Sequence, residues 1–302
     1  MNKKNVAFIG LGNMGGPMAS NLVKAGYDVR GFDFSASACD VARAAGVTIS
    51  KSAVEAASGA DVVITMLPAG QYVLDVWSNV LPHVSTIAIM IDCSTIDVES
   101  ALLAHELAGQ KGIACLDAPV SGGVGGAKAG TLTFMVGCND AAFGPAEKVL
   151  LSMGKKVFHC GGAGAGQAAK ICNNMLLAIS MIGVSEALIL GEKLGLSHRV
   201  MYDVMTASSG RCWSLEAYCP VPGPVPSAPS NHNFAPGFAT PLMLKDVRLS
   251  QKAAGSVGVS TPLGDMAVSL FAEYEGAGGA DKDFSGIIAF LRQKHRAVVE
   301  VT

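Results

Sequence analysis

The stretch VAFIGLGNMGGPMASNLVKAGYDVRGFD, residues 6–33, constrains the fold more than any other part of the chain. Residues 6–9 are an uninterrupted apolar run of strand length. Gly10, Gly12 and Gly15, with Leu11, Asn13 and Met14 between them, then spell G-x-G-x-x-G. Met14, Met18, Leu22 and Ala25 recur at helical spacing, and Gly26 suits the left-handed turn that ends a helix. A second apolar run, 29–32, stops at Asp33. Strand, glycine turn, helix and strand in this order are the context of a dinucleotide fingerprint. In that reading Gly10 permits the tight turn and Gly12 lets backbone approach a pyrophosphate. Gly15 lets the helix lie close on the strand, and the helix N-terminus offers N–H groups to phosphate. Asp33 is placed to accept hydrogen bonds from the adenine-ribose hydroxyls. It would repel a 2′-phosphate, and Phe34 adds no compensating cation, so the expected cofactor is NAD rather than NADP.

The pattern repeats. Apolar runs at 62–66, 87–91, 113–118, 131–136 and 156–159 predict further strands, and helical spacing at 52–57, 98–108 and 141–152 separates several of them. Such alternation implies a mostly parallel sheet covered by helices. Beyond Gly164 the strands stop. Residues 166–194 read as one apolar helix, ~40 Å long at 1.5 Å per residue. Helical segments continue after it, broken by YCPVPGPVPSAPSNHNFAPGF, which holds six of the thirteen prolines. Residues 217–244 contain no Asp, Glu, Lys or Arg, whereas disordered linkers are usually charged or strongly polar. An ordered, extended loop is therefore expected. The predicted organisation is a dinucleotide-binding domain over 1–163, a long interdomain helix over 164–194, and an all-helical domain over 195–302.

Composition narrows the partners. Half of the 302 residues are hydrophobic, 15% are charged, and the net charge is −2. No Lys/Arg stripe appears, which argues against nucleic acid and anionic membrane. The eight cysteines form no C-x-x-C pair and the six histidines show no H-x-x-x-H spacing. A reduced intracellular protein without a metal site is expected. The first strand begins too early for a targeting segment to precede it, so the expected location is cytoplasmic. Asn173, Asn174 and Glu186 interrupt the most apolar window, which points to a buried core helix rather than a membrane span.

Four further stretches carry chemistry. TMLPAG (65–70) and DCST (92–95) each end a predicted strand, the edge where α/β sheets hold ligands. They either face the cofactor or are ordinary loops in which Pro68, Ser94 and Thr95 start helices. In DAPVSGGVGGAKAGTL, Ser121, Gly122 and Gly123 either offer bare N–H groups to a carboxylate or form a mobile turn. Lys170 and Asn174, four apart, share one face of the long helix. A partly buried lysine has its pKa lowered by desolvation, which suits it to exchange a proton with an alcohol or carbonyl. The other reading is a lysine whose stem is buried and whose head reaches water.

FIGLGNMGGPMASNLVKAG, DAPVSGGVGGAKAGTLTFMVG and GAGQAAKICNNM together resemble the β-hydroxyacid dehydrogenases, and the likeness runs from Val6 to about Leu291. Within them, SSGRCWSLEAYCPVPGPVPSAPSNHNFAPGFATPLMLKDVRLS is similar to the branch acting on 3-hydroxyisobutyrate. The resemblance implies an α/β fold: an N-terminal Rossmann domain joined by a long helix to an all-α C-terminal domain. It implies NAD-dependent oxidation of a small hydroxy acid, 3-hydroxyisobutyrate, to methylmalonate semialdehyde, a step of valine breakdown. Lys170 carries over as catalytic and Asn174 as its substrate-binding neighbour. Ser121, Gly122 and Gly123 carry over as the carboxylate site. Leu67, Pro68, Thr95 and Lys245 carry over as cofactor contacts, and Trp213, Phe238 and Asp246 as residues of segments that close over the substrate. Rival readings are a tartronate or succinate semialdehyde reductase, a non-enzymatic relative that uses the fold for protein contacts, and a structural oligomerisation protein with a vestigial nucleotide site. The long helix is apolar around most of its circumference, which predicts a homodimer or homotetramer.

Overall fold

The structure, a computed structural model, describes residues 4–299. The chain forms two compact units, the first ending at Lys170 and the second starting at Ile171.

The first unit opens with β1 (Asn5–Ile9), α1 (Gly15–Lys24), β2 (Asp28–Phe32), α2 (Ala36–Ala44), β3 (Thr48–Ile49), α3 (Ala53–Ala57) and β4 (Val62–Thr65). It continues through α4 (Gly70–Val80), β5 (Ile89–Asp92), α5 (Val98–Gly109), β6 (Ala114–Asp117), β7 (Val120–Ser121), α6 (Gly123–Ala129), β8 (Leu132–Gly137), α7 (Asp140–Leu150) and β9 (Gly154–Gly161). The sheet order is β3-β2-β1-β4-β5-β6-β8-β7, with β9 also on β8. The six strands from β3 to β6 are parallel. β1 lies between β2 and β4, so the chain reverses its direction of winding there. A crevice at such a reversal, at the carboxyl ends of the strands, is where this architecture holds ligands.

Why β1 is a continuous apolar run is now plain. Val6 and Phe8 pack with Met18, Leu22 and Ile64 on one face; Ala7 and Ile9 pack with Trp77, Met90 and Ile96 on the other. Both faces are covered, so alternation would be wrong. Gly26, at φ +93°, follows the end of α1 as expected.

The sheet is mostly parallel, as expected; near its end β6 and β7 run antiparallel to β8, while β9 runs parallel to it. Two local features differ from the sequence reading. The strand expected from Ile87 starts at Ile89, because residues 85–88 make a turn in which Ala88 N–H donates to Ser85 C=O. Helices α2 and α4 were not anticipated.

α8 (Ala165–Lys193) passes from the first unit into the second. It is long and apolar enough to cross a bilayer by length and composition. In the second unit, however, its Ala178, Met181 and Leu188 are buried with Met243, Val247, Phe271 and Ile287. That unit adds α9 (His198–Ala207), α10 (Trp213–Glu216), α11 (Thr240–Ser256), α12 (Pro262–Tyr274) and α13 (Ile287–Val299). The proline-rich segment is ordered. Ser230 Oγ donates to the carbonyls of Cys219 and Val221, and Asn231 Nδ2 to that of Val225. Buried Asp283 closes it: its Oδ2 accepts from Tyr218 Oη and from the Gly237 and Phe238 N–H groups.

Candidate active site

The glycine turn leaves β1 and enters α1 with Gly10 N–H donating to Phe32 C=O at 2.9 Å. A β-carbon on Gly15 would strike the Gly10 carbonyl and the Phe8 ring, so only glycine lets helix and strand meet here. Gly12 differs: a β-carbon there would meet nothing within 4 Å. Its bare backbone faces open space, as a surface meant to receive a pyrophosphate should. α1 has no side-chain cap and no acidic residue in its first turn, which leaves its positive end available to phosphate.

Asp33 joins this turn. Its Oδ2 accepts the Leu11 N–H at 2.7 Å and its Oδ1 the Ser35 N–H at 2.7 Å. Each carboxylate oxygen retains further acceptor capacity for a ribose hydroxyl. Phe34 is 94% exposed. The nearby Arg30 is turned away, donating to the Ser58 and Glu55 carbonyls. These residues fit a dinucleotide with a free 2′-hydroxyl.

The loops after β4 and β5 are locked together beneath this edge. Buried Asp92 accepts from Thr65 Oγ1 at 2.7 Å and from Ser94 Oγ at 2.6 Å, and Trp77 Nε1 donates to Thr65 Oγ1. Leu67 N–H donates to Ser94 Oγ at 2.8 Å. Burial pushes the Asp92 carboxyl up to about 6, against the hydrogen bonds from Ser94 and Thr65 that lower it. Half-buried Leu67, exposed Pro68 and half-buried Thr95 therefore sit on braced rather than mobile backbone.

Ser121 ends β7, which prolongs β6 beyond Ala118 and Pro119 and pairs with Thr133 of β8. Gly122 and Gly123 follow at φ +130° and +60°, values that side chains resist. The chain then forms α6, although three glycines and a valine make up its first four residues, a composition of low helix propensity. Asn21 Nδ2 of α1 donates to Ala127 C=O at 2.7 Å, tying α6 to α1.

Lys170 of α8 is 6% exposed. One turn earlier, fully buried Gln167 donates from Nε2 to Ser94 C=O at 2.7 Å and accepts the Ile96 N–H at 3.1 Å. The helix bearing Lys170 is thus fastened to the loop bearing Thr95. The first unit therefore brings together the glycine turn, Asp33, both braced loops, the Ser121 turn and Lys170 on one body.

In the second unit, Asn174 is buried, its Nδ2 donating to Asp246 Oδ2 at 2.6 Å and its Oδ1 accepting from Asn173 Nδ2 at 2.9 Å. Lys245 Nζ lies 3.5 Å from Asp246 Oδ1. Trp213 is half exposed and stacks on Tyr218 at 4.9 Å, while Phe238 meets Phe284 edge-on. Sequence reasoning missed Asp92, Asp117, Gln167 and Asp283. Asp92 and Asp117 stand at strand ends in DCST and DAPVSGG, a position that could have flagged them. Among the described residues no cluster of three or more His, Cys, Asp or Glu suits a metal.

Residues 5–162 match the family described as the NAD binding domain of 6-phosphogluconate dehydrogenase. Residues 164–291 match that described as NAD-binding of NADP-dependent 3-hydroxyisobutyrate dehydrogenase. The chain is 50% identical to the probable 3-hydroxyisobutyrate dehydrogenase of Mycobacterium tuberculosis, over 96% of this chain and 98% of that one. The chain belongs to the 3-hydroxyisobutyrate dehydrogenase family. It is also 48% identical to an NAD-dependent L-serine dehydrogenase of Pseudomonas aeruginosa, over 93% of this chain and 96% of the relative. A solved structure of the M. tuberculosis 3-hydroxyisobutyrate dehydrogenase with L-serine superposes with a TM-score of 0.93 at 50% identity, covering 96% of this chain and all of that one. The expected nicotinamide-dinucleotide oxidoreductase fold is borne out, as is the expected two-part architecture of a Rossmann domain followed by helices.

Proposed function

We propose that this chain oxidises 3-hydroxyisobutyrate to methylmalonate semialdehyde with NAD, and that Lys170 is the proton-transfer residue. The observation that carries the reading is Lys170 itself: a nearly buried lysine on a helix hydrogen-bonded to a loop of the dinucleotide edge. Gly10–Gly15, Asp33, Leu67, Pro68 and Thr95 hold the dinucleotide, and Lys245 of the second unit is assigned to it as well. The chemistry supplied by a bound nicotinamide is acceptance of hydride from the hydroxyl-bearing carbon. Neutral Lys170 takes the hydroxyl proton, and in the reverse direction its ammonium returns it. Ser121, Gly122 and Gly123 hold the substrate carboxylate, which fixes the carbon presented for reaction. Asn174 bonds the same substrate with the capacity left over from Asp246 and Asn173. Trp213, Phe238 and Asp246 line the substrate side.

The test is initial-rate kinetics on a panel of hydroxy acids with NAD, following the reduced nicotinamide. The highest kcat/KM is expected for 3-hydroxyisobutyrate. L-serine is the second reading, favoured by the relative named for it. A clear preference for L-serine would replace the first substrate by the second, and no turnover of any hydroxy acid would overturn both.

The carboxylate site has its own test. Any side chain at Gly123 strains a positive φ, so Ser121→Ala is the cleaner change. Loss of one hydrogen bond to a charged group is worth about 1.5–3 kcal/mol, so KM for the hydroxy acid should rise roughly 10- to 100-fold. KM for NAD should be unchanged. Equal losses in both would assign the turn to the cofactor or to structure.

The second unit exposes Leu176 and Leu190 of α8, Leu194 just after it, and Leu263 and Met266 of α12. A groove of about 610 Å³ is lined by Ile179, Ile182 and Glu186 of α8, Leu263 and Met266 of α12, and Lys294 of α13. Apolar exposure on this scale marks an interaction surface. We infer a homodimer or homotetramer built through this unit; a monomer mass by light scattering at micromolar concentration would contradict it. The eight cysteines are free thiols, which suits a reduced, cytoplasmic setting.

A further inference from the structure

α8 begins on a buried carboxylate that does not belong to it. Asp117, at the end of β6, is 2% exposed. Its Oδ1 accepts the Gly164 N–H at 2.8 Å and its Oδ2 the Gln167 N–H at 2.9 Å. These are donors that the start of a helix otherwise leaves without partners, and a negative charge there is favoured by the helix dipole. On its other side, Oδ1 lies 2.9 Å from Nε2 of His105, a residue of α5. A β-carbon on Gly166 would come within 3 Å of both the carboxylate and the β6 backbone, and one on Gly137 would strike the carboxylate as well. Glycine at both places lets the helix end settle onto Asp117. Two backbone donors at the helix start are thus tied to β6, and Gln167, which supplies one of them, also bonds Ser94 and Ile96 through its side chain.

We propose that Asp117 and His105 are positioning residues for Lys170: their ion pair fixes the first turn of α8, and with it the reach of the Lys170 amine. This rests on the reading of Lys170 as the proton-transfer residue. Neither side chain touches the reacting atoms. Their effect passes through Gln167, three residues before Lys170, and small displacements of a reacting group cost rate steeply.

The pair is sensitive to pH. Burial opposes a charged His105 ring, but the hydrogen bond to Asp117, the Cys115 Sγ at 3.2 Å from Nδ1, and the charges of both raise it to about 9. Because this lies above the ordinary value of 6.5, the stabilisation is complete below 6.5 and is lost as pH rises through about 9. The other titratable groups facing Asp117 are Asp92, Cys138 and Cys160. Asp92 is already ionised well below that range, and Cys138 is pushed up to about 11, by burial first and by Asp117 next.

The experiment compares kcat, KM and the pH profile of hydroxy-acid oxidation in wild type, His105→Gln, Cys115→Ala and Lys170→Ala. Glutamine still donates one neutral hydrogen bond to Asp117 but cannot titrate. His105→Gln should lower kcat about 10-fold, as loss of a supporting hydrogen-bond partner typically does. KM for NAD should stay within about twofold of wild type. Wild type should lose rate as pH rises through about 9, Cys115→Ala should lose it at a lower pH because the sulfur helps to raise the His105 ring, and His105→Gln should lack the decline. A His105→Gln enzyme with wild-type kcat and wild-type decline overturns the proposal, as does one that loses NAD binding and turnover in proportion. If His105→Gln does not fold, the wild-type profile decides alone: no decline through about pH 9 overturns the proposal. Full activity in Lys170→Ala removes the parent reading, whereas an inactive Lys170→Ala beside an unaltered His105→Gln removes only this one.

Discussion

Replacing Lys170 by alanine is expected to lower kcat for hydroxy-acid oxidation by about 10²–10⁴-fold, roughly 3–5 kcal/mol of barrier, the usual contribution of a general acid–base group. The protein still folds, because alanine is the best helix former and the change falls inside α8. NAD binding should persist, because the glycine turn and Asp33 are held by hydrogen bonds of their own. Lys170→Arg does not restore turnover. A guanidinium stays protonated, so it cannot act as a base, and its planar fork does not reproduce an amine. Measured kcat and KM for both variants check this. Near-normal turnover in Lys170→Arg would mean that the position supplies charge alone, and proton transfer would pass to another group.

Replacing Asp33 by alanine together with Phe34 by arginine is expected to lower kcat/KM for NAD by about 10- to 100-fold and to admit NADP. Hydrogen bonds to a charged carboxylate contribute about 1.5–3 kcal/mol, which converts to that range. The new arginine meets the 2′-phosphate that Asp33 repels. Because Asp33 also accepts the Leu11 N–H, part of the loss is a looser glycine turn. Asp33→Asn separates the two causes: it keeps an acceptor for Leu11 while removing the charge. Kinetics with both dinucleotides read the outcome. Equal use of NAD and NADP by the wild type would contradict the role given to Asp33.

The first half of the fold was legible because its glycines are steric requirements. Gly15 has no room for a β-carbon, and Gly10 lies at φ +95°, so the letters of the fingerprint dictate β1, the turn and α1. α6 was illegible for the opposite reason. Its sequence, GVGGAKA, has little helix propensity, and tertiary contacts such as the Asn21 bond to Ala127 hold it. Strand direction at β7 and β8 was also hidden, since an apolar run reads the same either way. α2 carries few apolar residues at helical spacing and buries only Cys39 and Ala42.

Within the site, Lys170 and Asn174 stood out because a polar pair four apart on an apolar helix violates the local pattern. Asp117 and Gln167 did not. The partners of Asp117 at the helix start lie 47 and 50 residues away, and those of Gln167 on the Ser94–Ile96 loop lie 73 and 71 residues away. Short-range spacing carries no trace of contacts at that distance. Asp33 was legible as an acidic residue just past a strand end, yet its bond to the glycine turn itself needed the fold.

The pH dependence of hydroxy-acid oxidation at saturating NAD, in wild type and Lys170→Ala side by side, bears most directly on Lys170 as the proton acceptor. In wild type the rate should rise with pH on the acid side as the acceptor loses its proton, and in Lys170→Ala that rising limb should be missing from the small residual rate. A rising limb of the same shape in both proteins would contradict the account.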